Sequence, residues 1–200
     1  IAERAGIRVF ATGGIGGVHR GAVDSFDISH DLQSLARSRV VTVCAGAKAI
    51  LDLPKTLEYL ETAGVCVIGY QTTSFPAFYS RDSGLPLEHS AESADVIARA
   101  FVARERLGLS GGLLVAAPIP VEYEIPADQI SASIDLAVKQ AAECGVHGKD
   151  VTPFLLASLA RITAGRSVEA NLALLENNAR VGARIAKAIG ALMQAAAEVL

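Results

Sequence analysis

The chain has 200 residues, of which 51% are hydrophobic and 20% charged, and its formal net charge is −3 at pH 7. This length allows one domain with a large core, and we expect residues 1–200 to form a single domain. The negative charge, with no cluster of lysines and arginines, argues against a nucleic-acid polymer as partner. The apolar runs have the length of strands, which argues against a membrane protein.

The three cysteines are odd in number and well separated, at Cys44, Cys66 and Cys144. They fit neither a disulfide framework nor a zinc site. We therefore expect a reducing compartment, the cytoplasm.

Short apolar runs alternate with helical patterns along the first 120 residues. Strands are predicted at residues 7–11, 40–44, 65–69 and 112–116, where each run is bounded by small residues. Helices are predicted at residues 53–63 and 90–107, each followed by a glycine. This alternation predicts a three-layer α/β/α domain with a mainly parallel sheet.

The last third of the chain is predicted to be almost entirely helical. Pro126 can open a helix that runs to about residue 145. Thr152 is suited to cap a second helix, which ends near residue 165, and Ser167 to cap a long final one. The proline-rich loop between the fourth strand and these helices, residues 117–126, is a candidate wall of an active site.

A glycine-rich segment, TGGIGGVHRG at residues 12–21, follows the first strand. Glycines let backbone N–H groups approach an anion closely. The dinucleotide-binding pattern fails, because His19 stands where its third glycine belongs. A cradle for a sugar phosphate, with Thr12, His19 and Arg20 as polar lining, is one interpretation, and a tight structural turn is the other.

The next segment, FDISHDL at residues 26–32, combines a helix start with three potential ligands. Ser29 is suited to the N-cap, and Asp31 in the first turn suits the helix dipole. Asp27, His30 and Asp31 could also hold protons or a divalent cation, and oxygen ligands favour Mg²⁺ or Mn²⁺ over zinc. Simple helix capping remains the alternative.

Lys48 follows the second predicted strand among small and apolar neighbours, in CAGAKAILD at residues 44–52. Burial disfavours an ammonium group, lowers its pKa and frees the amine to attack a carbonyl carbon. The carboxyl ends of strands are also where α/β sheets bind ligands. Lys48 is therefore the candidate nucleophile, although an ordinary surface lysine would fit the same pattern.

Three asparagines in the last helix are poor helix formers. We expect Asn171 to face the site, and Asn177 and Asn178 to face solvent. His89 and His147 are predicted to lie in loops and are given no role.

Together these motifs resemble the pseudouridine-5′-phosphate glycosidase family, which includes the indigoidine synthase A-like proteins. The resemblance covers nearly the whole chain and is carried by residues 10–21, 26–32, 44–52, 69–72, 117–120, 148–156 and 171–178. It implies reversible cleavage of the C–C glycosidic bond of pseudouridine 5′-phosphate to uracil and ribose 5-phosphate. It also implies a divalent cation, usually Mn²⁺, a lysine imine intermediate and a homotrimer.

Carried over position by position, the resemblance makes Lys48 the nucleophile and Asp27 the metal ligand. Ser29, His30 and Asp31 match the segment that binds substrate. His19 and Thr12 lie beside the substrate, and we add Asn171 to that group.

Family members extend further at the N-terminus, in a part that carries a glutamate proton donor and a phosphate-binding lysine. We therefore expect this chain to lack both groups and to be inactive alone. A sugar-phosphate- or nucleotide-binding module and a Schiff-base aldolase remain the alternatives.

Overall fold

The predicted alternation of strands and helices is present in the computed structural model, which describes residues 1–146 and 151–197. The strands, numbered in chain order, are β1 (Val9–Ala11), β2 (Val18–His19), β3 (Val41–Cys44), β4 (Leu51–Asp52), β5 (Cys66–Tyr70), β6 (His89–Ala91) and β7 (Leu113–Ala116). The helices are α1 (Ala22–Ser25), α2 (His30–Arg37), α3 (Leu53–Thr62), α4 (Ala94–Arg106), α5 (Ala127–Glu143), α6 (Val151–Ile162) and α7 (Arg166–Ala197). Single turns of 3₁₀ helix lie at Glu3–Ala5 and Val121–Tyr123.

Five strands form one parallel sheet in the order β1-β3-β7-β5-β6. In its register Val41 pairs with Val9 on one side and with Leu113 on the other. All residues of β3 and β7 are buried, which explains why their sequences are apolar without alternation. β2 and β4 form a separate antiparallel ribbon beside this sheet.

Helices cover both faces of the sheet, so the three-layer α/β/α prediction is confirmed. Val41, Val43 and Val115 pack on one face with apolar residues of α4 and α7. Cys44 and Leu114 pack on the other with residues of α2, α3, α5 and α6. The described part of the last third is helical apart from short turns, as predicted.

Several predicted boundaries are confirmed. α3 ends at residue 62, and Gly64 follows with a φ of 71°, a conformation that glycine adopts without strain. α5 begins directly after Pro126. Ser29 is the N-cap of α2, and its hydroxyl accepts a hydrogen bond from the Asp31 N–H.

Other boundaries were predicted wrongly. The helix expected at residues 90–107 is preceded by a strand, so Ser90 and His89 lie in β6 and not in a helix and a loop. α6 already includes Thr152, and α7 begins one residue before Ser167, so neither residue is a cap. His147 lies outside the described residues. None of the helices within residues 1–146 and 151–197 is both long and apolar enough to span a bilayer.

Candidate active site

The glycine-rich turn and the segment that carries Lys48 lie side by side beyond the ends of β1 and β3. The Ala45 N–H donates to the Gly13 carbonyl at 2.9 Å, and the Ile15 N–H donates to the Gly46 carbonyl at 3.1 Å. The Lys48 N–H in turn donates to the Ile15 carbonyl at 3.1 Å. The backbone of the candidate nucleophile is therefore tied directly to the glycine-rich turn.

Glycine is required in both segments because neighbouring groups approach the backbone closely. A Cβ atom on Gly16 would collide with the Ser29 hydroxyl, and one on Gly46 would collide with the Pro76 carbonyl oxygen. Gly46 also has a φ of 88°, which strains any other residue. These glycines let α2 and the segment around Pro76 close against the turn.

Asp31 connects the turn to α2. Its Oδ2 accepts a hydrogen bond from the Gly16 N–H at 2.8 Å, and the Ser29 N–H donates to the Gly17 carbonyl at 2.9 Å. A carboxylate in the first turn of a helix is also favoured by the helix dipole. Part of the role of Ser29 and Asp31 is therefore to fix the turn, in addition to any contact with a ligand.

A cavity of about 340 Å³ opens at this junction and brings together three of the predicted site residues: Thr12, Asp31 and Lys48. Gly14 and Ile15 of the turn also line it, and so does the buried Thr42 of β3. Lys48 is half-buried and lines this opening. The cavity thus combines a lysine, a carboxylate and hydroxyl groups, which is a suitable set for binding a polar, oxygen-rich molecule.

His19 and Asp27 form a second group, which is not part of the cavity lining. The His19 N–H donates to the Asp27 carbonyl at 3.0 Å, and the His19 Nδ1 lies 3.8 Å from the Asp27 Oδ2. The Asp27 side chain is 44% exposed, so a hydrated cation can reach it. β2 is fixed here by the buried Thr56, whose hydroxyl accepts a hydrogen bond from the Val18 N–H at 3.0 Å.

This second group is too small to enclose a metal by itself. Within residues 1–146 and 151–197, no three His, Cys, Asp or Glu side chains are grouped closely enough to hold a metal ion. One carboxylate with a neighbouring imidazole nevertheless fits a hard divalent cation that keeps most of its water ligands. The donor set therefore suits Mg²⁺ or Mn²⁺ better than a structural zinc ion.

Of the remaining predicted residues, some face the glycine-rich turn and others do not line the cavity. Ser29 and the exposed His30 are at the start of α2 and do not line the cavity. Asn171 is half-buried, and a Cβ on Gly13 would lie 3.4 Å from its Oδ1, so it does face the turn. The proline-rich loop at residues 117–126 lines a different cavity, next to α7.

The prediction that Asn178 faces solvent was wrong, whereas Asn177 is half-buried. Asn178 is fully buried, and its Nδ2 donates to the Thr12 carbonyl at 2.8 Å and to the Gly13 carbonyl at 3.2 Å. The Asn177 Nδ2 donates to the Pro118 carbonyl at 3.1 Å. Sequence reasoning missed Asn178 although its position continues the apolar stripe of α7.

Comparison with known proteins shows which family the chain belongs to. Residues 1–188 match the model of the family described as indigoidine synthase A like protein. The chain belongs to this family. The matched range includes the glycine-rich turn, α2, the Lys48 segment and most of α7, so all of the structural parts of the candidate site lie within it.

Relatives in the family include proteins named pseudouridine-5′-phosphate glycosidase. The one from Methylobacterium nodulans is 58% identical over 188 residues, which make up 94% of this chain and 56% of the relative. The one from Caldanaerobacter subterraneus subsp. tengcongensis is 53% identical over 195 residues, or 98% of this chain and 64% of the relative. The chain therefore spans less than two thirds of the length of these relatives.

Two solved structures share the fold of this family member. The prealnumycin C-glycosynthase AlnA, in complex with ribulose 5-phosphate, has a TM-score of 0.89 and 39% identity, over 96% of this chain and 64% of its own. An indigoidine synthase A-like protein from Thermotoga maritima has a TM-score of 0.85 and 41% identity, over 94% of this chain and 61% of its own.

Proposed function

We propose that this chain carries the nucleophile and cation-binding part of an enzyme that reversibly cleaves the C–C glycosidic bond of pseudouridine 5′-phosphate. The products are uracil and ribose 5-phosphate. The observation that carries the proposal is the half-buried Lys48, which lines a cavity together with Thr12 and Asp31 and whose backbone is tied to the glycine-rich turn. The names of relatives that are more than half identical support the substrate, and the sugar phosphate bound by AlnA supports the class of ligand.

In the proposed reaction Lys48 provides the covalent route. The C1′–O4′ bond of the ribose opens, O4′ takes a proton, and the lysine nitrogen bonds to C1′ after losing its own proton. The electrons of the C1′–C5 bond then pass to the base, C5 takes a proton, and C1′ is left as an imine of Lys48. Water hydrolyses the imine to ribose 5-phosphate and regenerates the amine.

A covalent route suits this bond because a carbon leaving group is poor, and hydrolysis by two carboxylates would not stabilise it. We assign substrate contacts to Thr12, His19 and Asn171 and to the start of α2, Ser29, His30 and Asp31. The match covers 56% and 64% of the length of the two relatives, so we propose that full activity also needs the part of the family that the match does not include.

Asp27, assisted by the neighbouring His19, would hold a divalent cation, Mn²⁺ or a similar ion. When bound, such a cation stabilises negative charge that develops on the substrate. Asp27→Ala should weaken Mn²⁺ binding sharply in a calorimetric titration, whereas Asp24→Ala, a neighbouring exposed carboxylate in α1, should leave it unchanged. Equal affinity in the two variants would place the cation elsewhere.

The decisive experiment traps the imine. The chain, and the same chain extended by the upstream part of the family, are incubated with ribose 5-phosphate and borohydride and analysed by peptide mass spectrometry. We expect a sugar adduct on Lys48, lost in Lys48→Ala and kept in Lys187→Ala, which removes an exposed lysine of α7. Uracil release from pseudouridine 5′-phosphate should be abolished by the same Lys48 substitution.

The outcomes also separate the alternatives. Binding of ribose 5-phosphate without an adduct in either form would favour a sugar-phosphate-binding module. An adduct with other aldoses but no uracil release would favour a Schiff-base aldolase. Because AlnA is named a C-glycosynthase, synthesis from uracil and ribose 5-phosphate should be measured beside cleavage.

We further propose a homotrimer. Val168, Leu172 and Leu175 are exposed on α7 at spacings of four and three residues, so they form an apolar stripe on one side of the helix. Burial of such a stripe between subunits would remove it from water. Sedimentation equilibrium tests the subunit number, and the cytoplasmic location stays a prediction from the cysteine pattern.

A further inference from the structure

Asn178 lies where α7 packs on the sheet, and solvent reaches none of its surface. Leu174 and Val181, which precede and follow it on the same side of the helix, are also buried. Its amide nitrogen donates hydrogen bonds to two carbonyl oxygens, those of Thr12 and Gly13. The amide is thus directed at the first two residues of the glycine-rich turn.

Packing alone does not explain an asparagine here. Its Oδ1 is buried and has no hydrogen-bond partner among the described residues, and an unpaired buried oxygen destabilises a fold. A residue needed only to fill space would be apolar, as Leu174 and Val181 are. The contact of the amide with the turn therefore explains why an asparagine stands at this position.

This contact helps to fix the direction of two N–H groups, together with the Ala45 N–H, which also donates to the Gly13 carbonyl. The described peptide bonds are all trans, so the N–H and C=O of one peptide unit point in opposite directions. Fixing the carbonyls of Thr12 and Gly13 against α7 turns the N–H groups of Gly13 and Gly14 away from α7. No residue in the described part of the chain accepts a hydrogen bond from either of them.

Gly14 lines the cavity that Lys48 also lines, and Ile15 beside it holds the Lys48 backbone. We propose that Asn178 is a positioning residue: it orients the glycine-rich turn so that free N–H groups are available to oxygen atoms of the substrate and Lys48 keeps its place. The identity of that substrate rests on the proposed function, whereas the orientation of the turn does not.

The test compares Asn178→Ala and Asn178→Leu with the control Asn177→Ala, which removes a similar bond between α7 and a carbonyl. The leucine variant approximately keeps the size of the side chain and has no donor, so it separates hydrogen bonding from packing. Hydrogen exchange of the Ile15, Gly16 and Ala45 N–H groups is measured by NMR. The kcat and KM for pseudouridine 5′-phosphate are measured with the chain or its extended form.

Both Asn178 variants should speed exchange at these three groups and lower kcat/KM by about tenfold or more. The Asn177 variant should match the wild type in both measurements. A variant with normal far-UV circular dichroism and faster exchange only at these groups supports the proposal, even if one of the two Asn178 variants fails to fold.

Three results would overturn it: Asn178→Leu with wild-type exchange and kcat/KM, equal losses in the Asn177 and Asn178 variants, or exchange that rises uniformly over the chain. An inactive extended form of the wild type would instead refute the proposed function, and the exchange data would still decide whether Asn178 orients the turn.

Discussion

Replacing Thr56 by valine tests how the ribbon that carries His19 is fixed. The Thr56 hydroxyl is buried, accepts from the Val18 N–H at 3.0 Å and donates to the Asp52 carbonyl at 2.7 Å. The Asp52 carbonyl is at the N-cap of α3, where it can accept the first bond of the helix. Valine therefore leaves one buried group, the Val18 N–H, without a partner.

An unpaired buried N–H costs about 1–3 kcal/mol. For a domain of this size, a loss of about 2 kcal/mol lowers Tm by roughly 4–8 °C. Thr56→Ser is the matched control, because it keeps the hydroxyl and loses one methyl group, worth about 1 kcal/mol. Urea unfolding gives the free energies, and hydrogen exchange of the Val18 N–H reports on the bond itself.

The valine variant should expose the Val18 N–H to exchange, whereas the serine variant should keep it protected. If Thr56→Val is as stable as the wild type and the Val18 N–H stays protected, the inference that Thr56 fixes β2 is wrong. We also expect Thr56→Val, but not Thr56→Ser, to weaken binding of Mn²⁺, because the position of His19 beside Asp27 depends on β2.

Three further outcomes are expected. Gly46→Ala should destabilise the fold by about 3 kcal/mol or more in urea unfolding, since it adds strain at positive φ and a collision with the Pro76 carbonyl. A thiol reagent at pH 8 should label the exposed Cys144 at once and the buried Cys44 only on unfolding, because burial raises the Cys44 pKa to about 12. Burial also raises the pKa of Tyr79 to about 12, so unfolding free energy should fall from pH 9 to 12, less steeply in Tyr79→Phe.

The sign of the pH effect follows from the unfolded chain, which releases these protons near pH 9 for a thiol and pH 10 for a phenol, before the fold does. The contribution of the Cys44 thiol and the Tyr79 phenol to the unfolding free energy is therefore complete below pH 9 and is lost as the pH rises toward 12. An unfolding free energy that is constant over this range would contradict the prediction.

For Gly46→Ala, the control is Gly64→Ala, which meets strain at positive φ but no neighbouring atom within 4 Å, so it should destabilise the fold less.

Sequence patterns predicted the elements whose own residues carry a clear signal. β3 and β7 are continuous apolar runs because both of their faces are covered, and α3 has clear start and stop signals. β6 and the β2–β4 ribbon were missed. These strands have only two or three residues each, and they are strands only because a neighbouring backbone pairs with them.

For the site, the sequence predicted the lysine and the turn but not what holds them together. Glycines and a lysine after a strand are visible as residue types, whereas the partner of a backbone carbonyl is not. One signal for Asn178 was available: Leu174, Asn178, Val181 and Ile185 follow each other at spacings of four, three and four. That spacing puts the asparagine within a buried stripe, where its amide must find a partner.

The bond between Asn178 and Gly13 joins residues that are 165 positions apart. During synthesis the glycine-rich turn leaves the ribosome long before α7 exists, by roughly 8–33 s at 5–20 residues per second. The turn that holds the Lys48 backbone therefore obtains its full set of hydrogen bonds only after α7 has been synthesised, whatever the order in which the strands pair. The first residues of the turn thus depend on one of the last helices of the described chain.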